Sequence, residues 1–239
     1  SLSEPLSPLS QASQGSEEVA SEEHNYYEIQ NDDLSLMVES KTGRFEVSSL
    51  KNITEEKGSE EKFGIFGRTF DTSSGRENVY FANSGFYTRT QGYLNPEFEK
   101  ITEQSGQGNS RVYVLEGASS GLSFSRKIEI EDRGYSIKIE DTVKSVLGED
   151  IAITPYVVIE RDDSAVEEGG LMYTYLGPVF SSTKDTYEKY DFDDIKESSY
   201  QNKSVGGWVA LIQHYFLSAW IPDQNEEYLY QGRYGDNSG

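Results

Sequence analysis

Leu122, Phe124, Ile128 and Ile130 share one parity along the chain, and Tyr135, Ile137 and Ile139 repeat the alternation after Glu131-Asp132-Arg133-Gly134. A period of two belongs to a strand with one buried face, and a polar tetrad ending in glycine is a hairpin turn. A slip of one residue would turn every apolar side chain to water, so this pattern admits little besides an antiparallel sheet. Neighbouring segments agree. Val112-Tyr113-Val114-Leu115 precedes the hairpin, and Ile151-Ala152-Ile153 and Tyr156-Val157-Val158-Ile159 follow it. Nearer the start, Leu34, Leu36 and Val38 alternate ahead of a Thr42-Gly43 turn and Phe45-Glu46-Val47. Gly117, Gly121, Gly134, Gly148, Gly169-Gly170 and Gly206-Gly207 punctuate the series, and 17 Tyr and 11 Phe stand against 2 Met. Aromatic residues favour strands and glycines supply turns. The expectation is a mainly β chain forming a large antiparallel β-sandwich, with short helices or loops in the charged stretches 52–62 and 185–200.

Order is expected from Tyr26 onward. Residues 1–24 are rich in Ser, Pro, Gln and Glu and hold too little apolar surface to offset chain entropy, so they read as a flexible linker. Residues 25–239 read as one sandwich domain that is incomplete at its C-terminal end, which would leave an unpaired sheet edge. With 21 basic and 42 acidic residues the net charge is −21, a field that repels nucleic-acid phosphates and anionic lipid headgroups. Nucleic acid is therefore not an expected partner. Cysteine is absent, which excludes disulfides, thiolate chemistry and Cys-based zinc sites. There is no 18-residue apolar run that would span a membrane, and the chain opens with neither Met nor a signal peptide. It reads as the soluble part of a longer protein.

The stretch from Val205 to Pro222 holds both tryptophans and crowds its apolar residues between Gly206-Gly207 and Pro222. So much apolar surface is expected to be buried or bound. Trp208, Leu211, Ile212, Tyr215, Phe216, Ala219 and Trp220 fit helical spacing. Two strands broken near Gln213-His214 fit equally well, and the β-branched and aromatic content favours the strands. Upstream lie Tyr173, Tyr175, Phe180, Tyr187, Tyr190, Phe192 and Tyr200. Tyr and Trp serve surfaces that are apolar at one end and wet at the other, so the segment is a candidate binding surface as well as a candidate core.

Chemical motifs are sparse. His24 falls in the linker, which leaves His214 as the one ordered imidazole for a Ser-His-Asp arrangement, and no G-x-S-x-G elbow accompanies it. Asp191-Phe192-Asp193-Asp194 and Asp162-Asp163 could attract Ca²⁺, but neither continues into a calcium-loop pattern, and a solvated acidic loop accounts for both. No phosphate-binding glycine loop occurs. Paired carboxylates for glycoside chemistry have no sequence spacing that would reveal them. No catalytic residue, metal site or cofactor is expected.

One resemblance is specific. Tyr173-Thr174-Tyr175-Leu176-Gly177-Pro178, Tyr187-Glu188-Lys189-Tyr190, Gly206-Gly207-Trp208-Val209-Ala210, and then Tyr215-Phe216 with Ala219-Trp220-Ile221-Pro222 follow in the order found in the large periplasmic domain of the YidC membrane protein insertases of Gram-negative bacteria. Asp33-Leu34-Ser35-Leu36 to Gly43, and Phe124 to Val143, are similar as well. The resemblance implies a galactose-mutarotase-like supersandwich with a few short helices. It implies a location on the periplasmic face of the inner membrane, behind an N-terminal anchor, in a multi-pass protein. The membrane-embedded region that carries out insertion is not among these residues. The implied role is that of a noncatalytic domain assisting insertion and folding of inner-membrane proteins. The implied partners are the Sec translocon with its SecDF accessory subunits and, through the full-length protein, nascent inner-membrane proteins. Tyr173, Tyr175, Tyr187, Tyr190, Phe192, Trp208 and Trp220 are the residues expected to meet a partner. A mutarotase-like fold also raises a carbohydrate-binding or sugar-modifying sandwich. That chemistry uses a carboxylate base with histidine acids, and this chain lacks two ordered histidines. A plain structural spacer is the third reading.

Overall fold

The computed structural model describes residues 25–71, 76–162, 175–213 and 215–235. The chain divides into two compact units, Ser1–Val157 and Val158–Gly239. The first twelve strands are β1 (Tyr26–Gln30), β2 (Leu34–Glu39), β3 (Phe45–Thr54), β4 (Lys62–Gly64), β5 (Gly67–Asp71), β6 (Arg76–Thr88), β7 (Gly92–Leu94), β8 (Phe98–Ser105), β9 (Ser110–Ser119), β10 (Leu122–Glu131), β11 (Ile137–Ser145) and β12 (Thr154–Arg161). One sheet runs β1-β2-β3-β6-β12, with β4 on β3 and with β5 and β7 on β6; a second runs β11-β10-β9-β8. The described pairings are antiparallel, as the alternation requires.

The hairpin read from parity is β10–β11, and Leu122, Phe124, Ile128 and Ile130 are buried as expected. They are buried together with Leu115 of the neighbouring β9 and with Ile29, Leu36, Val38 and Phe45 of the other sheet. This is an antiparallel β-sandwich, and polar bonds stitch its two sheets together. The Tyr27 hydroxyl donates to the Phe98 carbonyl, and Arg111 donates to the Gln30 carbonyl. Asn31 donates to the carbonyls of Glu131 and Gly134, which moors the hairpin tip to the β1–β2 turn. Two expected strand segments fall outside strands. Tyr135 is exposed beyond the turn, and Ile151-Ala152-Ile153 precedes β12 without pairing. Residues 55–61 form a loop between β3 and β4 rather than a helix.

The sandwich also holds a charge that parity alone does not announce. Arg126 shares the inward parity of Leu122 and Ile130 and is 2 % exposed. It pairs with Asp141 through Nε–Oδ1 at 2.7 Å and Nη2–Oδ2 at 2.9 Å. It also donates to the carbonyls of Gly43 and Ser84 across the sandwich. Phe45 and Phe98 lie under the guanidinium, each with its ring centroid 5.6 Å away. Gly43 has φ +72°, and a Cβ there would come within 2.9 Å of the Phe98 ring, so the expected turn needs its glycine.

The second unit contains β13 (Leu176–Ser181), β14 (Glu188–Lys189), α1 (Phe192–Glu197), β15 (Tyr200–Val205), β16 (Trp208–Gln213), β17 (Phe216–Trp220) and β18 (Glu227–Gly232). A four-stranded sheet runs β14-β13-β16-β17, and β15 pairs with β18. The Val205–Pro222 stretch is thus two strands, not a helix. β16 ends at Gln213 and β17 begins at Phe216, in keeping with a break near Gln213-His214. Of this stretch, expected to be buried or bound, Ala210 and Leu211 are buried, whereas Tyr215, Leu217 and Ile221 are 82 %, 55 % and 70 % exposed. They lie at or beyond the ends of β17 or alternate outward along it.

Candidate functional site

The aromatic segment divides between two faces of the β14-β13-β16-β17 sheet. One face is closed. Phe180 stacks on Tyr200 with centroids 3.9 Å apart and rings 12° from parallel, and Tyr230 completes the cluster. Tyr190 packs edge-on against Tyr200 and donates its hydroxyl to the Ser198 carbonyl at 2.9 Å. Phe192 opens α1, which Asp191 caps by accepting from the backbone N–H groups of Asp193 and Asp194, while the Asp194 carboxylate returns to the Asp191 N–H. The acidic run is therefore a helix capping box. Ile195, buried on the inner side of α1, fixes the helix in place.

Tyr175, just before β13, is engaged as well. Its hydroxyl donates to the Pro178 carbonyl at 2.5 Å, and Lys189 Nζ lies 4.6 Å from its ring centroid. Burial, with the carboxylates of Asp191 and Asp194 nearby, pushes its phenol up to about 12. Burial also raises Tyr200, with the Glu188 carboxylate it donates to acting the same way.

The other face is exposed along part of its edge and buried at its middle, where Val179, Ala210 and Ser181 are 0 %, 2 % and 7 % exposed. In the sheet register Ser181 lies opposite Trp208, Val179 opposite Ala210, and Gly177 opposite Ile212. Ala210 lies opposite Ala219 and Ile212 opposite Leu217. One step beyond the Val209–Trp220 pair, Ile221 comes level with Trp208. Tyr187, which leads into β14, is 51 % exposed and its ring lies 6.1 Å from that of Trp208. Tyr187, Trp208 and Ile221 thus lie to one side and Ile212 and Leu217 to the other of a row formed by the buried Val179 and Ala210 and the exposed Ala219. Gly206-Gly207 sets the start of β16. Gly207 has φ +91°, and a Cβ there would fall 2.2 Å from the Ser181 carbonyl oxygen.

Of the seven residues expected to meet a partner, Tyr187 is the exposed one among the six described, and Trp208 stands half-buried beside it. Tyr190 packs on the closed side, the Tyr175 hydroxyl is bound to the Pro178 carbonyl, and Phe192 opens α1. Trp220 points to the face opposite Ile221 and donates its indole N–H to the Val158 carbonyl at 2.9 Å. Tyr173 and His214 lie outside the described residues, as do His24 and Asp163. Leu217 and Ile221 were missed as surface residues because they sit inside an apolar run. Their shared parity with Tyr215 and Ala219 is the signal that separates them from Phe216 and Trp220.

In the sandwich unit, a crevice is lined by Ser84, Phe86, Phe98, Phe124, Arg126 and Asp141. Its carboxylate is engaged by Arg126 and by the Ser84 hydroxyl, and neither tryptophan lines it. It lacks the free carboxylate and tryptophan platform that a sugar site would use. Among the described residues no three His, Cys, Asp or Glu side chains gather as metal ligands, and no helix is long and apolar enough to cross a membrane.

Comparison with known proteins bears directly on this fold. The family model for the YidC periplasmic domain matches residues 26–238, which is nearly every described residue. The chain belongs to the YidC periplasmic domain family. Among its relatives are proteins named membrane protein insertase YidC. That of Mannheimia succiniciproducens is 30% identical over 208 residues, covering 83% of this chain and 37% of the relative. That of Actinobacillus succinogenes is 28% identical and that of Shewanella loihica 25%, with the same coverage of 83% and 37%. The chain thus spans little more than a third of the length of these curated relatives. The landmarks from Gly206-Gly207-Trp208 to Pro222 that carry the resemblance map onto β16, β17 and the turn between β15 and β16.

Proposed function

We propose that this chain is a noncatalytic periplasmic accessory domain of a YidC-type insertase. It assists insertion and folding of inner-membrane proteins by docking onto Sec translocon accessory subunits of the SecDF type, or onto emerging substrate, at the periplasmic face of a multi-pass inner-membrane protein. The observation that carries this reading is the family match over residues 26–238. Two features of the site agree with it. The Asp141, Asp191 and Asp194 carboxylates and the Tyr175, Tyr190 and Tyr200 hydroxyls are engaged in ion pairing, capping or hydrogen bonds. A rigid sheet offers Tyr187 and Trp208 as amphipathic anchors of the kind interfaces favour.

The test is site-specific photocrosslinking in cells from Tyr187 of the full-length protein, with Tyr190 as the control from the closed side. Discrete adducts to translocon subunits or nascent membrane proteins from Tyr187 are the expected result. A folded, abundant protein that gives none from Tyr187 would leave the spacer reading in its place.

A further inference from the structure

The two edges of the β11-β10-β9-β8 sheet are not alike. β8 begins with a register shift between Phe98 and Lys100, and Glu97 ahead of it has φ +45°, so that edge is bent by a bulge. β11 runs its nine residues in unbroken register against β10, from Ser145 opposite Leu122 to Ile137 opposite Ile130, with neither glycine nor proline. Among the described residues no strand pairs with its other side. A straight edge of this kind presents a row of backbone N–H and C=O groups that a further strand can take up. We infer that the edge of β11 accepts an extended segment of another polypeptide as an antiparallel fifth strand, with acidic residues opposite Lys138 and Lys144, a basic residue opposite Glu140, and apolar residues opposite Ile137, Ile139 and Val143. The edge belongs to the first unit, and the inference holds whichever way the crosslinks from Tyr187 turn out.

Burial falls off at this edge. Ile130, Ile128 and Phe124 are 1 %, 0 % and 6 % exposed, whereas Ile137, Ile139 and Val143, which lie opposite them on β11, are half-buried. Apolar side chains on an added strand would stand beside that row and remove its remaining surface from water.

Charge then selects the occupant. On the outward row, Glu129 lies opposite Lys138 and Lys127 opposite Glu140, so opposite charges already alternate across the last pair of strands. Continuing the alternation places an acid opposite Lys138, a base opposite Glu140 and an acid opposite Lys144, all three of which are exposed. A second copy of the chain does not meet this pattern. Two β11 strands in full antiparallel overlap would set Lys138 against Lys144 and Asp141 against itself, and each copy would bring a charge of −21.

The experiment titrates the 239-residue chain with the end-capped peptide Glu-Val-Thr-Ser-Lys-Ile-Glu-Ile, composed to lie antiparallel from Lys144 to Ile137. Calorimetry is expected to show saturable binding, and amide hydrogen exchange to slow along residues 137–145. Two further peptides carry N-methyl groups at alternate residues. The one that loses the N–H groups facing β11 is expected to bind about tenfold more weakly or worse, and the other to keep its binding. The double variant Lys138→Glu, Lys144→Glu changes exposed side chains, and its urea midpoint should stay close to that of the parent. It is expected to bind the peptide about tenfold more weakly, and to regain binding when both glutamates of the peptide are replaced by lysines. Absence of saturable binding overturns the inference. So does equal binding by the two N-methylated peptides, binding indifferent to the charge reversal, or exchange that does not slow along residues 137–145. Dimerisation in sedimentation without peptide, abolished by the double variant, would give the edge to a second copy and overturn it as well.

Discussion

Arg126 is the residue on which the sandwich makes its largest single electrostatic commitment. A guanidinium 2 % exposed is tolerable because it has the Asp141 carboxylate bidentate and carbonyl acceptors on the opposite sheet. Removing one partner leaves the other charge stranded. Arg126→Leu should therefore cost about 3–5 kcal/mol in urea unfolding, whereas Arg126→Leu with Asp141→Leu should cost clearly less. Equal losses in the single and double variants would show that packing, not charge, is what Arg126 supplies. Tyr175 makes a different commitment. Its folded phenol titrates at about 12 against an ordinary value near 10, so the raised group is on the folded side. Between those values the unfolded chain has lost its proton and the folded chain has kept it, and stability falls as pH rises through this window. The loss is absent below about pH 9. Tyr175→Phe should flatten the fall in urea midpoint above about pH 10, relative to the parent, although it lowers the midpoint at neutral pH by losing the bond to Pro178. An unchanged slope would mean that Tyr175 ionises freely in the folded chain.

The β10 strand shows what a single element owes to its pattern. Ile128 is fully buried and Lys127 beside it is exposed, with Tyr113 and Ile139 opposite Ile128 on the two flanking strands. Ile128→Ala should lower stability by about 3 kcal/mol, and Lys127→Ala should stay within about 0.5 kcal/mol of the parent. Comparable effects at both positions would mean that the strand is not held in this register. That hairpin was legible because one of its faces is buried and the other wet. β16 was not, because Val209 and Leu211 pack on one side while Trp208 and Ile212 line the other, and two apolar faces erase the period of two. Such a strand and a buried helix share one hydropathy profile, and only the register of β13 and β17 separates them. Tyr175, Tyr190 and Phe192 were read as surface for a related reason. An aromatic residue with a polar tip suits a core edge and an interface alike, and which it joins depends on α1 and β15 closing over one side of the sheet. Leu217 and Ile221 were not legible as surface, since they leave the core only once β17 has a direction.

For the whole molecule the governing quantity is the imbalance of 42 acidic against 21 basic residues. Apart from Arg126–Asp141, the described ion pairs are exposed and mostly long. Lys100–Glu116 spans 3.1 Å, Arg111–Asp132 3.5 Å, Arg133–Asp32 3.6 Å and Lys203–Glu227 3.9 Å. Pairs of this kind contribute little and are readily screened. Acidic residues outnumber basic ones two to one, and like charges gathered on a compact chain repel one another more than they do on an unfolded one. Salt should therefore relieve more repulsion than it removes attraction. Raising NaCl from about 10 mM to about 200 mM shortens the screening length from about 30 Å to below about 10 Å, within the span of a folded unit. The urea midpoint should rise over that range, and neutralising exposed acids such as Glu60 and Glu61 to Gln should raise the low-salt midpoint and shrink the salt effect. A midpoint that falls with NaCl would mean that the surface ion pairs outweigh the net charge.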